Sequence, residues 1–164
     1  MVRPSIYNAF GDKETLFLRA LERYRETVAS TPLNAMDAEN SIEAAVAAFF
    51  NQVVNYTTAE ETHRGCLLGQ VAAATDSPAV HSYLRANLQK TEQEIAERLR
   101  RALDRGELPD GYSPAHGARL ALDAMLALGT RARIGTPRDE LAAQAAAATE
   151  TVLRQPVHTR SAGD

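Results

Sequence analysis

The chain has one cysteine, Cys66, among 164 residues. No intrachain disulfide can form, and the reducing cytoplasm is the compartment such a sequence suits. Long apolar runs are missing too. The opening MVRPSIYNAF has no apolar core of the kind a secretory signal carries, and no stretch approaches the ~20 apolar residues of a membrane helix. Neither export nor membrane insertion is expected. The alternating polar and apolar pattern of a half-buried strand is absent as well, which leaves an all-α reading.

Constellations that could carry chemistry are equally sparse. Glu60 and His63 have the Glu-x-x-His spacing of di-iron helical bundles, but those need a second such pair and two more glutamates on facing helices. The sequence holds no second pair. His63 and Cys66 could share a metal, yet a zinc site takes three or four ligands and none cluster nearby. Cys66 near a helix start reads either as a thiol tuned by the helix end or as a buried structural cysteine. No catalytic residue, metal or cofactor is therefore expected, and the chain does not read as an enzyme.

What is present is the composition of a folded domain. Hydrophobic residues make up 45% and charged residues 24%, and a chain of this length can bury a core without covalent staples. The net charge is -3, unevenly spread. Residues 1–25 hold Arg3, Lys13, Arg19, Arg23 and Arg25 against Asp12, Glu14 and Glu22, a balance of +2, so the remainder carries -5. A basic end on an acidic body permits a nucleic-acid contact there, though five charges on a helix also describe a solvated face.

Helix boundaries are legible. Ser77-Pro78, Ser113-Pro114 and Thr136-Pro137 each place a capping hydroxyl before a proline at the first helical position. Gly11 and Asp12 read as the end of one short helix and the cap of the next, running to about Ser30. Leu16, Phe17, Ala20, Leu21 and Tyr24 recur along it at helical spacing. The segment STPLNAMDAEN reads as a linker. Ile42, Val46, Phe49, Val53 and Tyr56 form a stripe on a helix of about Ser41 to Thr57. TTAEETHRG reads as a loop and Cys66 to Thr75 as a short buried helix. A long helix from Ser77 to about Arg105 carries Val80, Leu84, Leu88, Ile95, Leu99 and Leu103, with Glu94–Arg98 and Glu97–Arg101 spaced as ion pairs on its wet side. Helices of about Ser113 to Arg133 and Pro137 to Arg154 follow.

One segment carries more than periodicity: RPSIYNAFGDKETLFLRALERY, residues 3–24. Tyr7, Phe10, Lys13, Glu14, Leu16 and Phe17 stand at the spacings of a Tyr-x-x-Phe pair, a short turn, and a Lys-Glu-x-Leu-Phe run. This resembles the end of the helix-turn-helix and the following connector helix of TetR-family transcriptional repressors. The resemblance implies that Arg3, Pro4, Ser5 and Asn8 lie on the DNA-reading helix, with polar side chains reaching base edges. Tyr7 and Lys13 would hold phosphates, which position the protein without reading sequence. Phe10, Ile6 and Phe17 fit as apolar glue seating that helix. Taken alone, Tyr7 and Phe10 would read as core packing.

The same resemblance divides the chain into a helix-turn-helix remnant over residues 1–30 and a helical-bundle regulatory domain over 31–164. About 40 residues supplying the first helices of the head are missing from this sequence, so DNA binding by the chain as written is expected to be impaired. Either the start lies upstream or the head-less form is genuine. In the second case the chain could act as an interaction module that heterodimerises with an intact regulator.

HRGCLLGQVAAATDSPAV, residues 63–80, is similar, more weakly, to a stretch found in one branch of these regulatory domains. The family resemblance implies a small-molecule inducer and a homodimer built through the last two helices. Leu120, Leu122, Met125, Leu126 and Leu128, then Leu141, Ala142, Ala145, Ala146, Ala148 and Val152, would supply that dimer. The alanines also simply favour helix. Phe50, Tyr56, Tyr83 and Met125 are candidates to line a ligand pocket between the 41–57 helix, the long helix and the one beginning at Ser113, or else plain core. Operator DNA, the inducer and a second copy are the partners implied.

Overall fold

Asp12 starts the first helix: its carboxylate accepts a 2.8 Å hydrogen bond from the Thr15 N–H, and Gly11 before it adopts a φ of +83°. The computed structural model describes residues 11–59 and 65–154. In chain order the helices are α1 (Lys13–Tyr24), which runs on into a π-helical turn (Arg25–Ala29), α2 (Thr31–Asp37), α3 (Ile42–Thr58), α4 (Leu67–Ala74), α5 (Pro78–Asp104), α6 (Pro114–Arg133) and α7 (Arg138–Leu153). No strand occurs among the described residues. The fold is all-α.

Hydroxyl caps set several of these starts. Ser41, Ser77 and Ser113 accept from the N–H groups of Ala44, Val80 and His116 at 3.2, 3.2 and 3.3 Å, each satisfying one otherwise orphaned donor. The third expected cap does not form. Thr136 closes the preceding helix instead: its N–H donates to the Arg131 carbonyl at 3.1 Å and that of Gly135, at φ +93°, to Ala132 at 3.1 Å. This is the pair of bonds that ends a helix through a left-handed glycine. α7 consequently begins one residue later, after an uncapped Pro137.

The expected linker over residues 30–40 is largely helical. Pro32 sits in the first turn of α2, where it displaces no intrahelical bond, and Met36 is 2% exposed. Burial of that methionine against α3, which packs closely on α2, outweighs the turn-forming composition. The two i,i+4 ion pairs expected on α5 are absent. Glu97 pairs with Arg100 and Arg101 with Asp37, and Arg98 turns inward.

α3 is the centre of the main core and packs against α2, α6 and α7, while α5 packs against α6. Its Ile42, Val46, Phe49 and Val53 are buried as their spacing predicts. Phe49 and Phe50 meet edge to face, ring centres 5.2 Å apart. From α7, Leu141, Ala145 and Val152 complete this core, and the buried Tyr112 hydroxyl donates to the Val152 carbonyl at 2.9 Å. A smaller cluster of Leu21, Val71, Val80 and Leu84 joins α1 to α4 and α5. No helix among the described residues is long and apolar enough to cross a membrane.

A candidate ligand cavity between the two cores

Between the two cores lies a cavity of about 1060 Å³. Its walls come from the π-helical turn and α2 (Arg25, Ala29, Leu33), the end of α3 (Tyr56), α4 (Leu68, Gly69), α5 and α6 (Met125, Thr130). On α5 the wall extends from Leu84 to Arg101, roughly 25 Å of helix at 1.5 Å per residue. The space is therefore elongated along α5.

Two glycines open one end of it by letting the start of α4 lie against the end of α6. Gly65 adopts a φ of +96°, and a Cβ there would stand 2.9 Å from both the Arg133 Cβ and the Gly129 carbonyl oxygen. A Cβ on Gly129 would meet the Cys66 Cβ at 3.1 Å. Backbone passes where a side chain has no room. The Gly65 N–H also donates to the Thr57 carbonyl at 3.0 Å, fastening this crossing to α3.

Beside the crossing, Tyr24, Tyr56 and Cys66 form a cluster. The Leu67 N–H donates to the Tyr24 hydroxyl at 3.4 Å, so the last residue of α1 touches the first turn of α4. Burial pushes the Tyr24 phenol up to about 12, and the neighbouring Cys66 adds to the shift. Burial likewise drives Tyr56 well above its ordinary value, with Cys66 and Tyr24 contributing. Both phenols stay neutral across the physiological range.

A second set of contacts fixes α1 from its outer side. Arg25 and Glu22 pair at 2.7 Å, and the Tyr83 hydroxyl donates to Glu22 at 2.7 Å. These hydrogen bonds, Arg25 first, hold the Glu22 carboxyl down at about 2. Tyr83 rises to about 12 through burial and the bond to Glu22. Near the other end of α1, Ser77 Oγ donates to Glu14 while capping α5. α1 is thus bonded to α4 and α5 by side chains whose neighbours form the cavity wall.

Of the four pocket candidates, Tyr56 and Met125 line the cavity. Phe50 is fully buried in the α3 core, and Tyr83 is engaged with Glu22; neither belongs to the cavity wall. Lys13 is exposed in the first turn of α1. Arg3, Pro4, Ser5, Tyr7 and Asn8, like Glu60 and His63, lie outside the described residues. Cys66, buried and free, is a wall residue. Arg98 was hidden by its expected pairing with Glu94, although Ile95, Arg98, Leu99 and Ala102 share the i, i+3, i+4, i+7 face of α5. Among the described residues no three His, Cys, Asp or Glu side chains gather as a metal site would require.

Comparison with known proteins agrees with the all-α fold. Residues 42–149 match the family described as the tetracyclin repressor-like C-terminal domain. A cysteine mutant of the TetR family transcriptional regulator CifR, solved with a 26-base-pair double-strand operator DNA, superposes with a TM-score of 0.84 at 30% identity. The match covers 92% of this chain and 80% of that one. The HTH-type transcriptional repressor ComR of Escherichia coli (strain K12) is 26% identical over 141 residues, 84% of this chain and 67% of ComR. The HTH-type transcriptional regulator YezE of Bacillus subtilis (strain 168), itself uncharacterized, is 26% identical over 110 residues, 66% of this chain and 57% of YezE. These relatives are transcriptional regulators. The chain belongs to the TetR family of transcriptional regulators.

Proposed function

We propose that this protein is a ligand-responsive, dimeric repressor acting in the cytoplasm: a small molecule occupies the cavity, α6 and α7 pair two copies, and the N-terminal segment contacts operator DNA. The observation that carries this reading is the shared wall. Arg25, Ala29 and Ser30, which directly follow the connector helix, are also cavity residues, so a molecule inside touches the segment that leads to the DNA-reading end. A ligand that fits one position of this segment better than another shifts the population toward it. Two heads must sit one DNA turn apart, about 34–36 Å, so a small swing of each connector is enough to end repression.

The cavity volume is at the upper end of small-molecule sites, and its walls mix apolar residues such as Met125, Leu33 and Leu88 with nine charged side chains. Pairing through α6 and α7 is supported by the run of exposed small residues Ala142, Ala143, Ala146 and Ala147 on α7, which permits close approach of helix axes. On the DNA side, Arg3, Ser5 and Asn8 would face bases from the helix that also carries Pro4, with Tyr7 and Lys13 on phosphates. The operator complex of CifR supports DNA as the partner.

The test is a mobility-shift titration on the DNA flanking its own gene, at two salt concentrations, with this chain and with the same chain extended upstream in frame. Salt-dependent binding by at least one of the two forms is expected, released by apolar compounds that raise the thermal midpoint. If neither form binds, or if a stabilising compound leaves DNA binding unchanged, the reading is wrong.

A further inference from the structure

The charge of the cavity opposes that of the molecule. Six cationic side chains line it against three acidic ones, Asp37, Glu94 and Glu97, whereas the whole chain carries -3. Four of the six have a carboxylate: Arg25 has Glu22 at 2.7 Å, Lys90 has Glu94 at 4.0 Å, Arg100 has Glu97 at 2.5 Å and Arg101 has Asp37 at 3.6 Å. Arg98 and Arg133 have none among the described residues.

Arg133 is exposed to solvent. Arg98 is only 5% exposed. Its Nη2 donates to the Glu39 carbonyl at 3.0 Å, while Nη1 is buried with no hydrogen-bond partner. Glu107 lies close enough to feel the charge, but one of its oxygens accepts from the Ile42 N–H and the other from Arg105 Nε. A buried guanidinium with one nitrogen unbonded and no carboxylate in direct contact is an incompletely compensated charge. Nothing in its packing requires a cation there, since Ile95, Leu99 and Ala102 on the same face are apolar and buried.

We infer that the ligand of this cavity is an apolar molecule with a single anionic head, such as a carboxylate, and that Arg98 is its anchor. The inference rests on the reading of the cavity as a ligand site. The anion supplies the charge that Arg98 lacks, at a guanidinium that is itself almost wholly buried, where a charge-assisted hydrogen bond is strong, and the apolar body lies along α5 toward Met125 and Tyr56. Because Nη1 is buried, entry of the head requires the guanidinium to rotate toward it.

Neutral and anionic probes of one skeleton separate this inference from the sensor reading beneath it. N-phenyl-1-naphthylamine, uncharged and fluorescent in apolar surroundings, reports on occupancy in the full chain; decanoate and 1-decanol then compete for it. Decanoate should displace the probe about tenfold more effectively than 1-decanol, the ratio one charge-assisted hydrogen bond supports. Arg98→Gln should erase that ratio while leaving probe binding intact, and Arg133→Gln should leave the ratio in place. Arg98→Lys, which keeps the charge if the glutamine variant fails to fold, should retain a reduced preference. Equal displacement by the two competitors in the wild-type chain, or an undiminished decanoate preference in Arg98→Gln, overturns the anionic head with the sensor reading untouched. Failure of the neutral probe to bind overturns both.

Discussion

The Tyr83 hydroxyl reaches Glu22 across the seam between the connector helix and α5, at 2.7 Å. Arg25 holds the same carboxylate, so Glu22 is ionised in the fold well below its ordinary 4.5. A lowered acid contributes stability that is present above 4.5 and lost as pH falls toward about 2. Tyr83 works at the other limit: raised from 10.0 to about 12, it contributes stability present below pH 10 and lost as pH climbs through about 12. The Glu22 side chain is 42% exposed, so solvent screens the pair and Tyr83→Phe should remove about 1 kcal/mol or less. Urea midpoints between pH 5 and 2 should fall less steeply for Glu22→Gln than for the native chain. Parallel slopes would show that the contact is not made in solution.

Gly65→Ala is expected to be the most damaging single-methyl change in the chain. It combines a left-handed φ with a Cβ 2.9 Å from Arg133 and the Gly129 carbonyl, and neither neighbour can yield without moving α6. A loss of about 2 kcal/mol or more follows from strain and clash together. Gly106→Ala, where φ is +73° with nothing within 4 Å, isolates the strain alone and should lose about 1 kcal/mol. Chemical denaturation of both variants checks the ordering, and equal losses would remove the crossing from the account.

The parts of this fold that could be read from residues are those in which one local rule had no rival. The caps at Asp12, Ser77 and Ser113 and the apolar stripe of α3 fall into this class, because side-chain chemistry and backbone requirement coincide at each position. Thr136 and residues 31–37 were misread for a shared reason: neighbours decided. The end of α6 claimed the Thr136 backbone, and the burial of Met36 made a helix from linker-like composition. The cavity was harder. Tyr56 and Met125 could be placed from helix order, but Arg98 looked like half of a surface pair, and only the packing of α2 and the Glu39 carbonyl against α5 shows it buried. Gly65 and Gly129, 64 positions apart in the sequence, meet only in three dimensions.

Leu99 tests the main core independently of any ligand. It is fully buried on the α5 face beside Arg98, and Leu99→Ala should lose about 2–5 kcal/mol, the range for truncating a leucine in a packed interior. Loss of helical circular dichroism in urea is the readout. A loss under 1 kcal/mol would mean that α5 is looser against α3 and α6 than its burial indicates.

Pairing of two copies is tested at Ala146, exposed on α7 within a surface of alanines. Ala146→Arg introduces a long charged side chain where two helices are proposed to approach closely, so it should convert a dimer to a monomer in light scattering without changing the helical spectrum. A native chain that is already monomeric, or a variant that still dimerises, would move the interface elsewhere.

Filling the cavity separates its role as a site from its role as a packing defect. Met125 is half-buried, lines the cavity and leans on the main core, so Met125→Trp directs added volume into empty space rather than into close-packed side chains. Overpacking of a filled interior destabilises; here the thermal midpoint should hold or rise. Binding of N-phenyl-1-naphthylamine should fall by about tenfold or more, the loss that 1.4 kcal/mol of excluded contact produces. Decanoate competition should fall with it, because head and body share one space. Undiminished probe binding by a folded Met125→Trp chain would place the fluorescent site outside this cavity, and the case for a ligand poised between the two cores would fail with it.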